Sequence, residues 1–239
     1  MPEVREAQAQ LALEAGIEGF CYYHYWFGNG KQELELPFNE VLRLGRPNFP
    51  FCLCWANESW HSKFWKIDGS IHKKCLIEQK YETKDGHIKH FNTLLPAFKD
   101  KRYIYVDDKP LFMIYKPFDF EDVSKFIALW NLLAKENGLK GIHFVAHLFQ
   151  NINQTTVDKL HLMGFDSVNT MGLHIGFGAK RSLINRLWGR IEMAINGIPR
   201  AKEYNNTYPY FLSDVDKSED VYPTIIPNWD HTPRSGSAG

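Results

Sequence analysis

One stretch constrains the fold of this chain more than any other: Phe49–Trp60, with the sequence FPFCLCWANESW. Every side chain of Phe51–Trp55 is apolar, a pattern typical of a parallel strand that is buried on both faces. The stretch then runs into Asn57, Glu58 and Trp60. An apolar strand that stops on an amide, a carboxylate and an indole is typical of a barrel strand whose carboxyl end reaches a site.

The rest of the chain alternates helical and extended patterns. Apolar residues at helical spacing, with Gly or Pro at several ends, predict the following helices: Pro2–Ala15, Leu36–Leu44, Asp85–Phe98, Asp119–Asn137, Thr155–Met163 and Arg181–Ile195. Apolar and aromatic runs predict the following strands: Gly19–Phe27, Phe49–Trp55, Lys109–Pro117, Gly141–Phe149, Phe165–Met171 and Tyr222–Asp230. The segment between Ser59 and Ser70 is expected to be a polar and aromatic loop.

Helix and strand in alternation predict an α/β fold with a parallel sheet, and the arrangement favours a (β/α)8 TIM-type barrel. Six strands are recognisable where a closed barrel needs eight, so we expect the barrel to be incomplete at both ends of this chain. We expect one barrel domain over 1–239, with an irregular helical insertion at 181–220 and a flexible tail at 235–239. The basic amphipathic helix Arg181–Ile195 suits either a cover for the barrel or a membrane surface.

Composition limits the partners. The 28 basic and 28 acidic residues balance, which argues against nucleic acid as the main partner. No signal peptide and no transmembrane segment are visible, and the four cysteines lack zinc spacing, so they are expected to be reduced core residues of a cytoplasmic protein. The aromatic fraction of 15% suits stacking on sugar rings but equally suits an ordinary core.

Five motifs carry a resemblance to a known family. They are Gly19–Phe27, Phe51–Trp60, Ile77–Tyr81, Lys109–Tyr115 and Asn228–Arg234. Together they resemble the WbsX family of bacterial proteins, which are named as glycosyltransferases and associated with lipopolysaccharide O-antigen and other surface polysaccharides. That family is similar to glycoside hydrolase family 99, whose members are (β/α)8 barrels acting on α-mannosides.

The resemblance spans the chain from the opening helix to Arg234, and it also shows departures. Family members carry an N-terminal strand and a Glu-bearing, Trp-rich loop before the point where this chain begins. Ser59 and His231 occupy positions where the family has Asn. The resemblance implies a carbohydrate-active enzyme with an oligosaccharide or polysaccharide substrate and, for a transferase, a sugar-nucleotide donor.

Glycosidic chemistry usually needs two carboxyl groups, and Glu58 and Asp230 are the candidates for the catalytic pair. Glu58 follows the predicted strand Phe49–Trp55 and lies between Trp55 and Trp60, whose apolar rings suit a general acid. Asp230 ends the predicted strand Tyr222–Asp230, beside Trp229. Glu58 could instead form a surface ion pair with Lys63 or Lys66, and Asp230 could cap the next turn. Their separation, which would bear on retention or inversion, cannot be read from sequence.

Substrate-binding candidates lie at or just after the predicted strand ends. They are His24, Tyr25, Trp26, Trp55, Asn57, Trp60, Tyr115, Lys116, Trp229 and Arg234. His24 could equally be a core histidine, and Lys116 could equally be a solvated lysine. His147 ends the fourth predicted strand and could equally be a binding residue or a core residue. No metal site or cofactor is expected, because the ten histidines show no metal-binding spacing on a helix.

Three functions remain open. The first is a glycoside hydrolase or transglycosylase that works through carboxylates. The second is a glycosyltransferase for O-antigen or capsule, although no Gly-rich turn of the kind that holds a nucleotide phosphate joins a strand to a helix. The third is a non-catalytic glycan-binding module or an inactive fragment.

Overall fold

A computed structural model describes residues 2–65, 71–172 and 204–227 of the 239-residue chain. The chain divides into two compact units, one of residues 1–147 and 160–167 and the other of residues 148–159 and 168–239. The organisation of 1–239 as one barrel domain stays a prediction. Each unit is described by itself below.

The first unit contains helices and strands in alternation. Its helices are α1 (Pro2–Glu14), α2 (Leu36–Leu44), α3 (Lys84–Phe98) and α4 (Val123–Glu136), with a short 3-10 turn at Pro117–Asp119. Its strands are β1 (Phe20–Trp26), β2 (Gln32–Glu33), β3 (Phe51–Trp55), β4 (Trp60–Trp65), β5 (Ile71–Ile77), β6 (Tyr105–Val106), β7 (Lys109–Ile114) and β8 (His143–Leu148).

Four strands of this unit form a parallel sheet in the order β1-β3-β7-β8. The two-residue strands β2 and β6 add antiparallel pairings to β1 and β7. The apolar stretch identified in the sequence is the second of these four strands, and all five residues of β3 are buried. A strand flanked by neighbours on both sides and by packed side chains on both faces has no place for a polar residue, which explains its composition.

Helices cover one face of this sheet. Alternate residues of β1 pack against them: the Tyr22 ring lies 5.5 Å from that of Phe38 in α2, and the Trp26 ring stacks at 4.5 Å on His90 of α3. The core between the helices and the sheet is aromatic: the ring centres of Phe112 and Trp130, for example, are 5.0 Å apart. The intervening residues of β1, among them Tyr23, point to the other face, which we call the second face.

A hairpin replaces the loop that was predicted for Ser59–Ser70. Strands β4 and β5 pair antiparallel, from Trp60 opposite Ile77 to Trp65 opposite Ile71, and the prediction of a loop was wrong. Its Lys, His and Ser residues interrupt any clean apolar alternation, so periodicity did not reveal it. The hairpin begins directly after Ser59, whose hydroxyl accepts a 2.9 Å hydrogen bond from the Gln79 backbone N–H.

The second unit contributes β9 (Ser167–Thr170) and β10 (Val221–Pro223), which pair in parallel from Val168 opposite Val221. Helix α5 (Gln154–Leu162) precedes them in the chain. Among residues 204–227 there are three 3-10 turns before β10, at Tyr204–Asn206, Tyr208–Tyr210 and Asp214–Lys217. The predicted helix Arg181–Ile195 and the end of the predicted strand Tyr222–Asp230 lie outside the described residues.

The prediction of an α/β fold with a mostly parallel sheet is confirmed. Among the described strands of the first unit, the sheet runs from β2 to β8 without closing on itself, so the (β/α)8 barrel stays a prediction. In the described part of the chain, no helix has the length and apolar character needed to cross a membrane.

Candidate functional site

The candidate site lies at the carboxyl ends of β1, β3 and β7. The parallel register sets His24 beside Trp55 and Trp55 beside Ile114, so the three strands end at the same level. Residues that follow these ends must therefore lie at one edge of the sheet, which is where α/β folds place their ligand sites. Glu58 follows β3, and Lys116 follows β7.

The amide of Asn57 ties two of these strand ends together. Its Nδ2 donates to the carbonyl oxygen of Lys116 at 2.9 Å and to the hydroxyl of Tyr81 at 3.0 Å, while its Oδ1 accepts from the Lys116 N–H at 2.7 Å. The Tyr81 hydroxyl in turn donates to the Asn57 carbonyl at 3.1 Å. The Asn57 residue is 1% exposed, so its amide atoms bond other groups of the protein and do not face solvent.

Glu58 projects from this anchored segment toward solvent. Its carboxylate lies 3.9 Å from the ammonium of Lys116, and the exposed fractions of the two side chains are 47% and 23%. The ion-pair partner of Glu58 is therefore Lys116, across the strand ends. Sequence suggested Lys63 or Lys66 as partners, and the side chains of both lie outside the described part of the chain. The Lys116 ammonium also lies 5.9 Å from the centre of the Tyr115 ring. Burial, followed by the negative charge of Glu58, raises the pKa of the Tyr115 hydroxyl.

Aromatic side chains in contact with one another lead away from this charged pair, starting from Tyr115. Tyr23 lies 6.3 Å from Tyr25 and 6.0 Å from Tyr115, and Tyr25 meets Trp60 edge to face at 5.1 Å. We call these four residues the aromatic cluster. Tyr23 is 56% exposed, and His147 stacks at 4.9 Å on the Tyr115 ring. The cluster offers flat rings and hydroxyl groups to a ligand at the strand ends.

Three predicted substrate-binding residues lie in the core on the helix-covered face. The Nε2 atoms of His24 and His90 are 2.8 Å apart, and burial lowers the pKa of His24 to about 3. Trp26 donates from Nε1 to Glu82 at 2.7 Å. Trp55 donates from Nε1 to the carbonyl of Trp26 at 3.0 Å. The side chains of His24, Trp26 and Trp55 are each less than a tenth exposed. This placement favours a role in core packing over contact with a ligand.

The structure brings together only part of the predicted site. Glu58, Tyr25, Trp60, Tyr115 and Lys116 converge at one edge. Asp230, Trp229 and Arg234 lie outside the described residues, so the proposed carboxylate pair stays a prediction.

Two residues of the site were missed. Tyr23 is two positions before Tyr25 on the same strand, and the period of two in a strand places them on one face, so this alternation was a usable signal. Tyr81 is 24 residues from Asn57 in sequence, and nothing local predicted their bond.

A metal centre was not expected from the sequence. Over residues 2–65, 71–172 and 204–227, no group of three or more His, Cys, Asp or Glu side chains is arranged to hold a metal ion.

Comparison with known proteins gives a match over the full length of the chain. The model of the family described as "Glycosyltransferase WbsX" matches residues 1–239. Two proteins named "Uncharacterized protein WxcX", from two strains of Xanthomonas campestris pv. campestris, are each 30% identical over 244 residues, covering 100% of this chain and 32% of their own length. The chain thus spans about a third of these curated relatives.

Solved structures give a weaker likeness. A GH99 endo-α-mannosidase from Bacteroides thetaiotaomicron has a TM-score of 0.43 at 13% identity, covering 72% of this chain and 44% of that one. Its complex with bis-tris-propane has a TM-score of 0.42 at 13% identity, covering 82% and 53%. No conclusion about activity follows from likeness at this level. The family match over the whole length is decisive, and the chain belongs to the WbsX glycosyltransferase family.

Proposed function

We propose that this chain is part of a carbohydrate-active enzyme that transfers glycosyl groups in the assembly of bacterial surface polysaccharide, either O-antigen or capsule. The observation that carries the proposal is the Glu58 carboxylate, exposed at the strand ends beside Lys116, whose ammonium lies 5.9 Å from the Tyr115 ring of the aromatic cluster. Family membership supports the class of reaction. The complete barrel, the oligosaccharide or polysaccharide acceptor and the sugar-nucleotide donor are parts of the same proposal.

Glu58 is the proposed acid–base group. In glycosyl chemistry a carboxyl group exchanges a proton with the oxygen on one side of the anomeric carbon, and a second carboxyl group serves the other side. The exposure of Glu58 allows a sugar to reach it, and the bonds of Asn57 hold the backbone from which it projects. Asp230 is the proposed second carboxyl group.

The aromatic cluster is the proposed sugar platform. A pyranose presents an apolar face of C–H groups and an edge of hydroxyl groups, and Tyr and Trp side chains match both features. Tyr23, Tyr25 and Tyr115 combine partly exposed rings with hydroxyl groups beside the Glu58–Lys116 pair. The ammonium of Lys116 provides a further hydrogen-bond donor and would favour a sugar or donor that carries negative charge.

Hydrolysis of a glycoside is the second candidate function. The sequence has no Gly-rich turn from a strand into a helix, which is the usual cradle for a nucleotide phosphate. An enzyme with two carboxyl groups and no such cradle can pass the sugar to water. The donor requirement distinguishes the two functions.

The test is incubation of the purified chain with oligosaccharides, with and without sugar nucleotides, followed by mass spectrometry of the products. Extension that requires the donor supports the transferase, and shortening without a donor supports the hydrolase. Glu58→Gln should lower turnover by roughly 100-fold or more, as expected for loss of a general acid–base group, with sugar binding retained. Glu78→Gln is the matched control, because Glu78 forms a similar exposed ion pair with Lys80 at 3.5 Å. Equal turnover in the two variants would refute the role of Glu58.

A further inference from the structure

Three of the four cysteines lie side by side on adjacent strands. Cys21 is in β1, Cys52 and Cys54 are in β3, and the parallel register sets Cys21 directly beside Cys52. Because neighbours in register lie on the same face of a sheet, both thiols point to the second face, the one that carries Tyr23. None of the three is in a disulfide.

The three thiols differ in exposure and in hydrogen bonding. Cys21 is exposed, whereas Cys52 and Cys54 are 7% and 2% exposed. Both buried thiols donate hydrogen bonds to the Cys21 sulfur, and these bonds lower the pKa of Cys21 well below that of an ordinary thiol. The bond to Cys21 and burial raise the pKa of Cys52, and burial and the same bond raise that of Cys54. Of the three thiols, that of Cys21 is therefore the most readily ionised and the expected nucleophile, and its neighbours keep their protons.

Strand geometry decides which neighbour can reach Cys21. Neighbouring strands lie about 4.8 Å apart, so the Cα atoms of Cys21 and Cys52 have a spacing that falls within the ~4.4–6.8 Å range of disulfides. Cys54 is two residues further along, which adds about 6.6 Å along the strand and brings its Cα separation from Cys21 to roughly 8 Å. That exceeds the ~7 Å limit for a bridge without backbone movement.

We propose that Cys21 and Cys52 form an oxidant-sensitive dithiol, which a hydroperoxide converts into a disulfide joining β1 to β3. In the first step the Cys21 thiolate attacks the peroxide, an S–O bond forms as the O–O bond breaks, and hydroxide or alkoxide leaves. In the second step the Cys52 sulfur displaces the hydroxyl group of the Cys21 sulfenic acid, and water leaves as the S–S bond forms. Two thiols are oxidised, and one peroxide is reduced by two electrons.

This inference is independent of the proposed function. It also identifies a covalent means of acting on the site, because the two strands that the disulfide would join are those whose ends carry Tyr25 and Glu58. The fourth cysteine, Cys75, is an exposed thiol in β5 and provides an internal control.

The experiment treats the folded chain with one equivalent of hydrogen peroxide at pH 7, blocks remaining thiols with a maleimide and maps peptides without reduction. We expect a monomer that has lost two hydrogens, contains a Cys21–Cys52 peptide and keeps two blockable thiols of the four in the chain. A reducing agent should restore all four. Because the thiolate is the nucleophile and the hydrogen bonds from Cys52 and Cys54 favour it, Cys21 should react roughly tenfold or more faster than a free cysteine in solution.

Variants identify the residues involved. Cys21→Ser should abolish the intramolecular disulfide, and Cys75→Ser and Cys54→Ser should leave it intact. Because Cys52 is buried, circular dichroism checks that Cys52→Ala folds like the wild-type chain. The peptide map of the wild-type chain tests the proposal without any variant. A wild-type chain that forms no Cys21–Cys52 peptide, or one whose only product is a dimer through Cys75, would overturn the proposal.

Discussion

The side-chain amide of Asn57 and the backbone of Lys116 bond to each other in both directions, over 2.9 Å from Nδ2 to the carbonyl oxygen and 2.7 Å from the N–H to Oδ1. The amide thereby acts as an additional backbone unit between the ends of β3 and β7, where regular strand pairing stops. The residue after Asn57 is Glu58, and the side chain of Lys116 faces it. One buried amide therefore sets the distance between the two charged groups of the candidate site.

Replacing this amide should destabilise the fold. Asn57→Ala would remove the amide that bonds the N–H and C=O of Lys116 and the hydroxyl of Tyr81, all partly buried, and unsatisfied groups of this kind cost up to ~1–3 kcal/mol each. Allowing for partial relaxation, we expect the free energy of unfolding to fall by roughly 2–4 kcal/mol in urea titrations. Asn92→Ala, at an exposed position of α3, should change it by less than ~0.5 kcal/mol. A similar small change in both variants would exclude the anchoring role.

Arg102 should be a second stability determinant. Its guanidinium is buried, bonds the Asp100 carboxylate at 2.6 Å and donates to the carbonyls of Pro47 at 3.0 Å and Val41 at 3.2 Å. These bonds hold the segment before β3 against the loop that follows α3. Arg102→Met keeps the length of the side chain but removes its charge and every donor, so we expect a loss of about 3–5 kcal/mol.

The comparison variant for Arg102 is Arg43→Met. Arg43 forms an ion pair with Glu40 at 2.8 Å on the surface of α2, with its side chain 66% exposed. Such exposed pairs contribute little to stability because solvent screens them, so the midpoint of thermal unfolding should hardly move. Equal losses in the two variants would show that burial of Arg102 is not what makes it important.

Stability should fall in mild acid because of a buried histidine pair. Burial lowers the pKa of His24 to about 3 and, together with the neighbouring charges of His24 and His87, lowers that of His90 well below 6.5. The folded state keeps both rings neutral, while the unfolded chain takes up protons below about pH 6.5. The contribution of the neutral rings to the free energy of unfolding is therefore fully present above about pH 6.5 and is lost as the pH falls toward 3. At pH 5 the loss should reach up to ~2 kcal/mol per ring.

Urea unfolding at pH 7 and pH 5 measures this loss. The variant His24→Phe/His90→Phe, which cannot take up these protons, should show a smaller difference between the two pH values than the wild-type chain. Glu82 accepts a 2.7 Å hydrogen bond from Trp26, whose ring stacks on His90. His61→Asn changes an exposed histidine outside this packing and is the control. A pH difference that the double substitution leaves unchanged would assign the effect to other groups.

The aromatic cluster should contribute measurably to glycan binding if the proposed function is right. Tyr23→Ala removes the most exposed ring of the cluster. Because aromatic contacts are worth ~0.5–1.5 kcal/mol, we expect the Kd for an oligosaccharide to rise roughly 3- to 10-fold, measured by isothermal titration calorimetry. Tyr204→Ala removes another exposed tyrosine, 45% accessible, that lies outside the cluster, and it should leave the Kd unchanged. Equal effects of the two variants would remove the cluster from the site.

The sequence by itself determined the strands of the parallel sheet, because burial on both faces demands the apolar composition seen in β3, and runs of apolar and aromatic residues mark the other strands. It also indicated Glu58 and Lys116, since polar residues directly after such strands have few structural reasons to be there. The hairpin β4-β5 was not predictable, because its pairing is antiparallel and its residues lack a regular alternation.

The tertiary structure decided which side of each strand the helices cover. Trp26 and Tyr25 are neighbours of similar character, yet Trp26 is buried on His90 and Tyr25 meets Trp60 at the site edge. Local sequence fixes that their side chains point in opposite directions, but only the packing of α3 decides which direction is the core. The role of Asn57 depended likewise on Lys116, 59 residues away, because a hydrogen bond between distant segments leaves no pattern in either of them.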